Sequence, residues 1–166
     1  MRFAVLILLF SFMACRQPSH NQLAGLWELK AFEVQDSSGE WGEYPWNKDG
    51  TGYLLYDDAG HAALHITPKN YQNLVMPNST SIDSIDTDSL KRAFASMALN
   101  YNYVATYTID HKKHVISHTR LSHSRPEDWG KTVEREFHLV GQDTLLMFPV
   151  EGAAKRRLTW VRTSLN

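Results

Sequence analysis

The side chains able to do chemistry gather on three strand-like runs in the second half of the chain, residues 101–109, 113–121 and 131–140. Tyr103, Ala105 and Tyr107 recur with period two, and so do Val133, Arg135, Phe137 and Leu139. That period marks a strand with one buried face. Arg135 is the exception in apolar company, and a buried guanidinium has to find acceptors or a carboxylate. His118 lies on the run between them, and Trp160 on a later run, 154–162, with Arg162 close by. Tyr103, Tyr107, His118, Arg135 and Trp160 therefore form the candidate ligand-binding set. They admit two readings. One is a satisfied polar network that fixes strand register. The other is a set of contacts to a ligand's carboxylate, carbonyl or hydroxyl, since arginine suits a planar carboxylate. A histidine of ordinary pKa could also move a proton. No nucleophile, base and orienting group can be read together, so no catalytic residue is assigned.

Other chemistries find less support. There are eight histidines. His61 and His65 share a strand face, as would His114 and His118, but positions four apart in a strand are separated by about 13 Å. One metal ion cannot bridge that span. HExxH, CxxC and a phosphate-binding glycine loop are absent. Glu134 and Glu136 fall with Thr132 and His138 on the face opposite Arg135, which reads as the solvated one. No metal or other cofactor is expected.

The elements that must position these groups are mostly strands. Near the start, Trp27, Leu29 and Ala31 alternate with Leu26, Phe32 and Val34 on the other side. Residues 36–50 read as a polar loop holding Trp41, Tyr44 and Trp46, three aromatics that cover a cavity mouth or fill space between strands. Residues 52–56 and 61–66 form the clearest hairpin, turning at Asp58-Ala59-Gly60. The one helix expected lies within 83–100, capped by Asp86 or Asp88, with Leu90, Phe94 and Met97 on one apolar face. Five strands follow in succession, the last two at 144–149 and 154–162, with Trp129 expected to anchor the longest turn. Short connections and no alternation of helix with strand exclude a doubly wound fold. The fold expected is all-β: an antiparallel up-and-down barrel of about eight strands, with one short helix between the third and fourth. A sandwich is the rival.

The chain has 166 residues, 43% of them hydrophobic, and a net charge of -1. This suits one domain and gives no sign of nucleic-acid binding. Residues 1–14 differ in kind. After Arg2 the run 3–13 is apolar except for Ser11, too short to span a membrane and suited to an export signal. Phe12-Met13-Ala14-Cys15 resembles a bacterial lipobox. The resemblance implies a lipoprotein in which Cys15 is acylated and becomes the mature N-terminus, anchoring the protein to a membrane of the cell envelope. Arg16 is not an aspartate, which favours the outer membrane. Residues 15–22 then act as a tether and 23–166 as the domain. A single cysteine leaves no internal disulfide.

Several short motifs occur in an order that resembles the lipocalin-like domain family. They are Leu23-Ala-Gly-Leu-Trp-Glu-Leu, Gly52-Tyr-Leu-Leu-Tyr-Asp-Asp-Ala-Gly, Tyr103-Val-Ala-Thr-Tyr-Thr-Ile-Asp, His118, Trp129-Gly130, Arg135-Glu-Phe and Leu158-Thr-Trp-Val-Arg162. The resemblance covers residues 23 to 162. This chain has Ala105 where the family more often has glycine, and Ser117-His118 in place of its His-His pair. The resemblance implies a small barrel with a central cavity. Related barrels carry small hydrophobic ligands, and some catalyse isomerisations or cyclisations in an apolar cavity. Three functions stay open: binding of a small apolar or amphipathic molecule, an isomerase or cyclase, and a structural module with a filled barrel.

Overall fold

Strand β1 (Gly25–Gln35) closes the structure. Its first four residues pair with β3 (Thr51–Tyr56), and residues Trp27 to Val34 pair with β9 (Arg156–Arg162), so the first and last strands of the barrel meet. Between them the chain meanders through β4 (His61–Thr67), β5 (Tyr101–Asp110), β6 (Val115–His123), β7 (Thr132–Val140) and β8 (Thr144–Pro149), all antiparallel. The computed structural model describes residues 21–74, 82–150 and 152–163. Cys15, the apolar leader and most of the tether lie outside them. Among the described residues there are nine strands. Eight make the antiparallel barrel, and β2 (Trp41–Glu43) is a short addition to the end of β1, within what the sequence presents as loop.

The interior follows the period-two pattern. Leu54 and Tyr56, Ala62, Leu64 and Ile66, Tyr103, Ala105 and Tyr107, and Leu145 and Met147 are all buried. Two bulges reset that pattern. The β1–β9 register passes from Leu29↔Trp160 to Ala31↔Thr159, which leaves Lys30 as an extra residue. One extra residue turns every later side chain to the opposite face. Phe32, opposite Leu158, therefore packs on the core with Trp27 and Leu29. The simple alternation groups Ala31 with Trp27 and Leu29 and sets Phe32 on the other face. The second bulge lies on β6, where Val104 faces Ser122 and Ala105 faces Arg120. It leaves out Leu121, so Arg120 and His123, three apart, are both buried.

The hairpin turn is as expected. The Asp57 carboxylate accepts from the Ala59 and His61 amides, and Gly60 takes φ 92°, where a side chain would be strained. Helix α1 (Thr87–Ala98) joins the third and fourth barrel strands, and Asp86 caps it by accepting from the Ser89 amide at 2.9 Å. Its apolar face does not become core. Phe94 is 74% exposed and Met97 48%, and only Ala93 is buried. The buried core cluster is built without α1, which joins β4 to β5 outside it.

Candidate functional site

One end of the barrel is plugged. Trp27 is fully buried, with its indole N–H donating to the Leu23 carbonyl at 2.8 Å and the Arg162 guanidinium 4.1 Å over its ring. Tyr107 belongs here. Its hydroxyl donates to the Asp57 carbonyl at 2.6 Å and accepts from the Asn21 amide. Burial, with the charge of Asp57, raises its pKa. The sequence had grouped Tyr107 with Arg135 and His118, but its tyrosine hydroxyl points to the turn below them.

The polar centre lies above the plug. Arg135 points inward and is 7% exposed. It donates to His118 Nδ1 at 3.1 Å and sits 5.7 Å over the Tyr103 ring. The Tyr103 hydroxyl meets the same ring nitrogen at 3.0 Å, and the Tyr56 hydroxyl meets Nε2 at 2.9 Å. A guanidinium only donates, so Nδ1 is the acceptor and a neutral His118 carries its proton on Nε2, donating to Tyr56. Burial first, then the charges of Arg135 and Arg120, hold the His118 pKa well below the usual imidazole value. Burial pushes the Tyr56 phenol well above its usual value. The centre is thus neutral apart from arginine, a set of donors and acceptors poorly matched to proton transfer at neutral pH. Tyr56 escaped the sequence reading, although its period-two spacing from Leu54 signals the same inner face.

A second arginine, also missed, joins it. Arg120 is 3% exposed, bonds the Tyr101 hydroxyl at 2.5 Å, lies 3.4 Å from the Asp128 carboxylate and stacks over the rings of Tyr101 and Tyr103. Burial opposes ionisation of Asp128, but a hydrogen bond from Lys131 and the charge of Arg120 keep its pKa low. The cue in the sequence was the two-residue step from His118. Trp129 ties down the turn above through its indole N–H, which donates to the His123 carbonyl at 2.6 Å, while its ring stays exposed.

A cavity of about 160 Å³ opens beside this centre. Its walls are Leu54, Leu64, Ile66, Met147 and Leu158. Arg135 and Tyr103 line one side. Trp160, one register step above Trp27 on β1's partner strand, is 1% exposed and also lines the cavity, and its indole N–H has no hydrogen-bond partner. Partly exposed lining residues, among them Phe32, Tyr44, Trp46, Arg125 and Arg156, form the mouth. Tyr44 and Trp46 pack on Phe32 at ring separations of 4.7 and 6.2 Å. Trp41 instead turns outward, under Arg157 and beside Phe148. The aromatic loop thus splits between mouth and outer wall.

The remaining candidates are dispersed. His61, His65, Glu134, Glu136 and His138 are exposed. His114 is in the β5–β6 turn with φ 55°, so it shares no strand face with His118. Among the described residues no three metal-ligating side chains come together.

A model of the lipocalin-like domain matches residues 24–163, and the chain belongs to that family. No curated protein matches it in sequence. Among solved structures, a redesigned β-barrel is 10% identical, with a TM-score of 0.39 over 86% of this chain and 93% of that one. The REP1-NXSQ fatty acid transporter is 12% identical, with a TM-score of 0.40 over 87% of this chain and 98% of that one.

Proposed function

We propose that this chain is a lipid-anchored protein of the bacterial cell envelope that binds a small apolar or amphipathic molecule in its barrel cavity. The observation that supports binding is the meeting of apolar walls with the buried Arg135 and the unpartnered Trp160 N–H in one void with an open mouth. Few convergent polar groups in an apolar concavity are the usual make-up of a ligand site. Tyr103, His118, Arg135 and Trp160 are the groups assigned to it, with Tyr107 supporting from the plug. The volume is below the range of drug-sized pockets, about 300–1,000 Å³, so the ligand is small. Mass spectrometry of small molecules that co-purify with the protein tests this. A reproducible compound lost from Arg135→Met is the expected result. An empty protein that also takes up no added apolar or amphipathic compound would support the filled structural barrel instead.

The anchor rests on the sequence: an apolar run, residues 3–13, that ends at the chain's only cysteine, Cys15. Cys15→Ser should release the protein from membranes or leave its precursor uncleaved. Unchanged membrane retention with normal processing would overturn it. The absence of Asp at position 16, where Arg16 stands, supports the outer membrane as the destination.

A further inference from the structure

The charges and donors around the cavity go further than its size. Its described lining includes Arg125, Arg135 and Arg156 and no acidic residue. Arg120, stacked on Tyr101 and Tyr103, is already paired with the Asp128 carboxylate and adds little to this set. In the poorly screened interior Arg135 repels cations and favours one anionic group, and the two arginines at the mouth add a weaker, solvent-screened bias of the same sign. Independently, Trp160 lines the cavity, and its buried indole N–H has no acceptor among the described residues. An unmade hydrogen bond of that kind is costly unless something in the cavity accepts it. The arginines ask for negative charge and the indole for an acceptor, and a carboxylate oxygen meets both.

Shape narrows the class. A dry cavity of about 150 Å³ is known to hold benzene, and this one is about 160 Å³. Its lining includes the rings of Phe32, Trp46, Tyr101, Tyr103 and Trp160. Flat walls of this kind favour offset or edge-on contact with another ring. A long alkyl chain would not fit.

We propose that the cavity binds a small ring-bearing carboxylate, its carboxylate oxygens accepting from the Trp160 indole N–H and from Arg135. This rests on the binding function proposed above. Arg125 and Arg156 at the mouth draw the anion in, so uptake slows as salt rises. Size and charge together discriminate: an acid enters, its isosteric amide binds less well, and the matching amine is rejected.

The test is isothermal titration of the full chain in lipid nanodiscs, with empty nanodiscs as blank, against benzoate, benzamide, benzylamine, naphthalene and palmitate. Benzoate should bind about ten-fold or more tightly than benzamide, and benzylamine should not bind. Trp160→Phe should weaken both compounds, and Arg135→Met should bring the benzoate-to-benzamide ratio toward one; because the two compounds are the same size, the ratio is insensitive to the space that a variant opens. Should either variant fail to fold, the Trp160 indole resonance of the unaltered protein serves instead. Its proton should shift further downfield with benzoate than with benzamide. Equal binding of benzoate, benzamide and naphthalene would overturn the carboxylate class and leave small-molecule binding standing. Preference for palmitate would overturn the ring-sized ligand. No binding of any of the five would overturn this proposal and remove its support from the binding function as well.

Discussion

Arg135 on β7 and His118 on β6 are joined by a hydrogen bond of 3.1 Å inside the barrel, and the imidazole carries the link on to Tyr56 on β3 and Tyr103 on β5. Four strands are thus fixed through one neutral ring. Removing the guanidinium leaves His118 Nδ1 with the Tyr103 hydroxyl alone and takes the one charged donor out of the network. Arg135→Met keeps most of the volume and drops the charge. It should cost about 2–5 kcal/mol, the usual penalty for breaking a buried charged hydrogen bond. Urea unfolding measures it. A midpoint equal to the parent's would mean that the network contributes nothing to stability.

The same ring makes stability depend on pH. The folded pKa of His118 is depressed by burial and by Arg135 and Arg120. His123 is shifted the same way, by burial and then by Arg120. A depressed histidine favours the neutral form in the folded state. Its contribution is therefore complete above the unfolded value, about 6.5, and is lost as pH falls below it toward the folded pKa. In that window His118 alone should give a slope of about 1.4 kcal/mol per pH unit. Unfolding free energies taken from about pH 7.5 down to about pH 5.5 should fall, and His118→Gln should flatten the fall. Parallel curves for the two proteins would show that His118 is not held neutral.

The barrel and Arg135's inward direction were legible because both depend on period two alone: a charge among Val133, Phe137 and Leu139 had nowhere else to point. What escaped is what breaks the period. Lys30 and Leu121 are ordinary residues in strand-like runs, and nothing local marks them as bulges. Yet the first turns Phe32 into the core, and the second lets His123 join Arg120 inside. Tyr107 was placed on the correct face at the wrong height. Height along the barrel depends on the stagger between strands, which spacing along one strand does not encode. The loop aromatics divided between mouth and outer wall for the same reason, since β2 forms only by pairing with the end of β1.

Helix α1 should behave as a unit separate from the barrel. Its Phe94 and Met97 are largely exposed, so its stability rests on local terms such as the Asp86 cap. Asp86→Ala should cost the helix about 1 kcal/mol. Hydrogen exchange at residues 87–98 should speed up while the barrel's unfolding midpoint stays put. Phe94→Ser should change global stability by no more than about 0.5 kcal/mol. A large loss in either variant would show that α1 is packed on the barrel.

Arg162 provides the contrast with Arg135. It lies in the plugged end, donates to the carbonyls of Gln22, Ala24 and Gln142, and covers the Trp27 ring. These contacts bind the last strand to the segment that leads into β1 and to the β7–β8 turn, so they hold the barrel shut where its two ends meet. Lysine keeps the charge but offers a single ammonium in place of a planar fork. It can satisfy one or two of the three carbonyls and cannot stack flat on the indole. Arg162→Lys should therefore destabilise the protein by about 2 kcal/mol, from lost charge-assisted hydrogen bonds and cation–π contact. Arg162 is not among the residues lining the cavity, so ligand affinity of the folded variant should match the parent. Urea unfolding and titration on the same samples separate the two effects. An undiminished midpoint would show that closure does not depend on this side chain, and a selective loss of affinity would place it in the binding site.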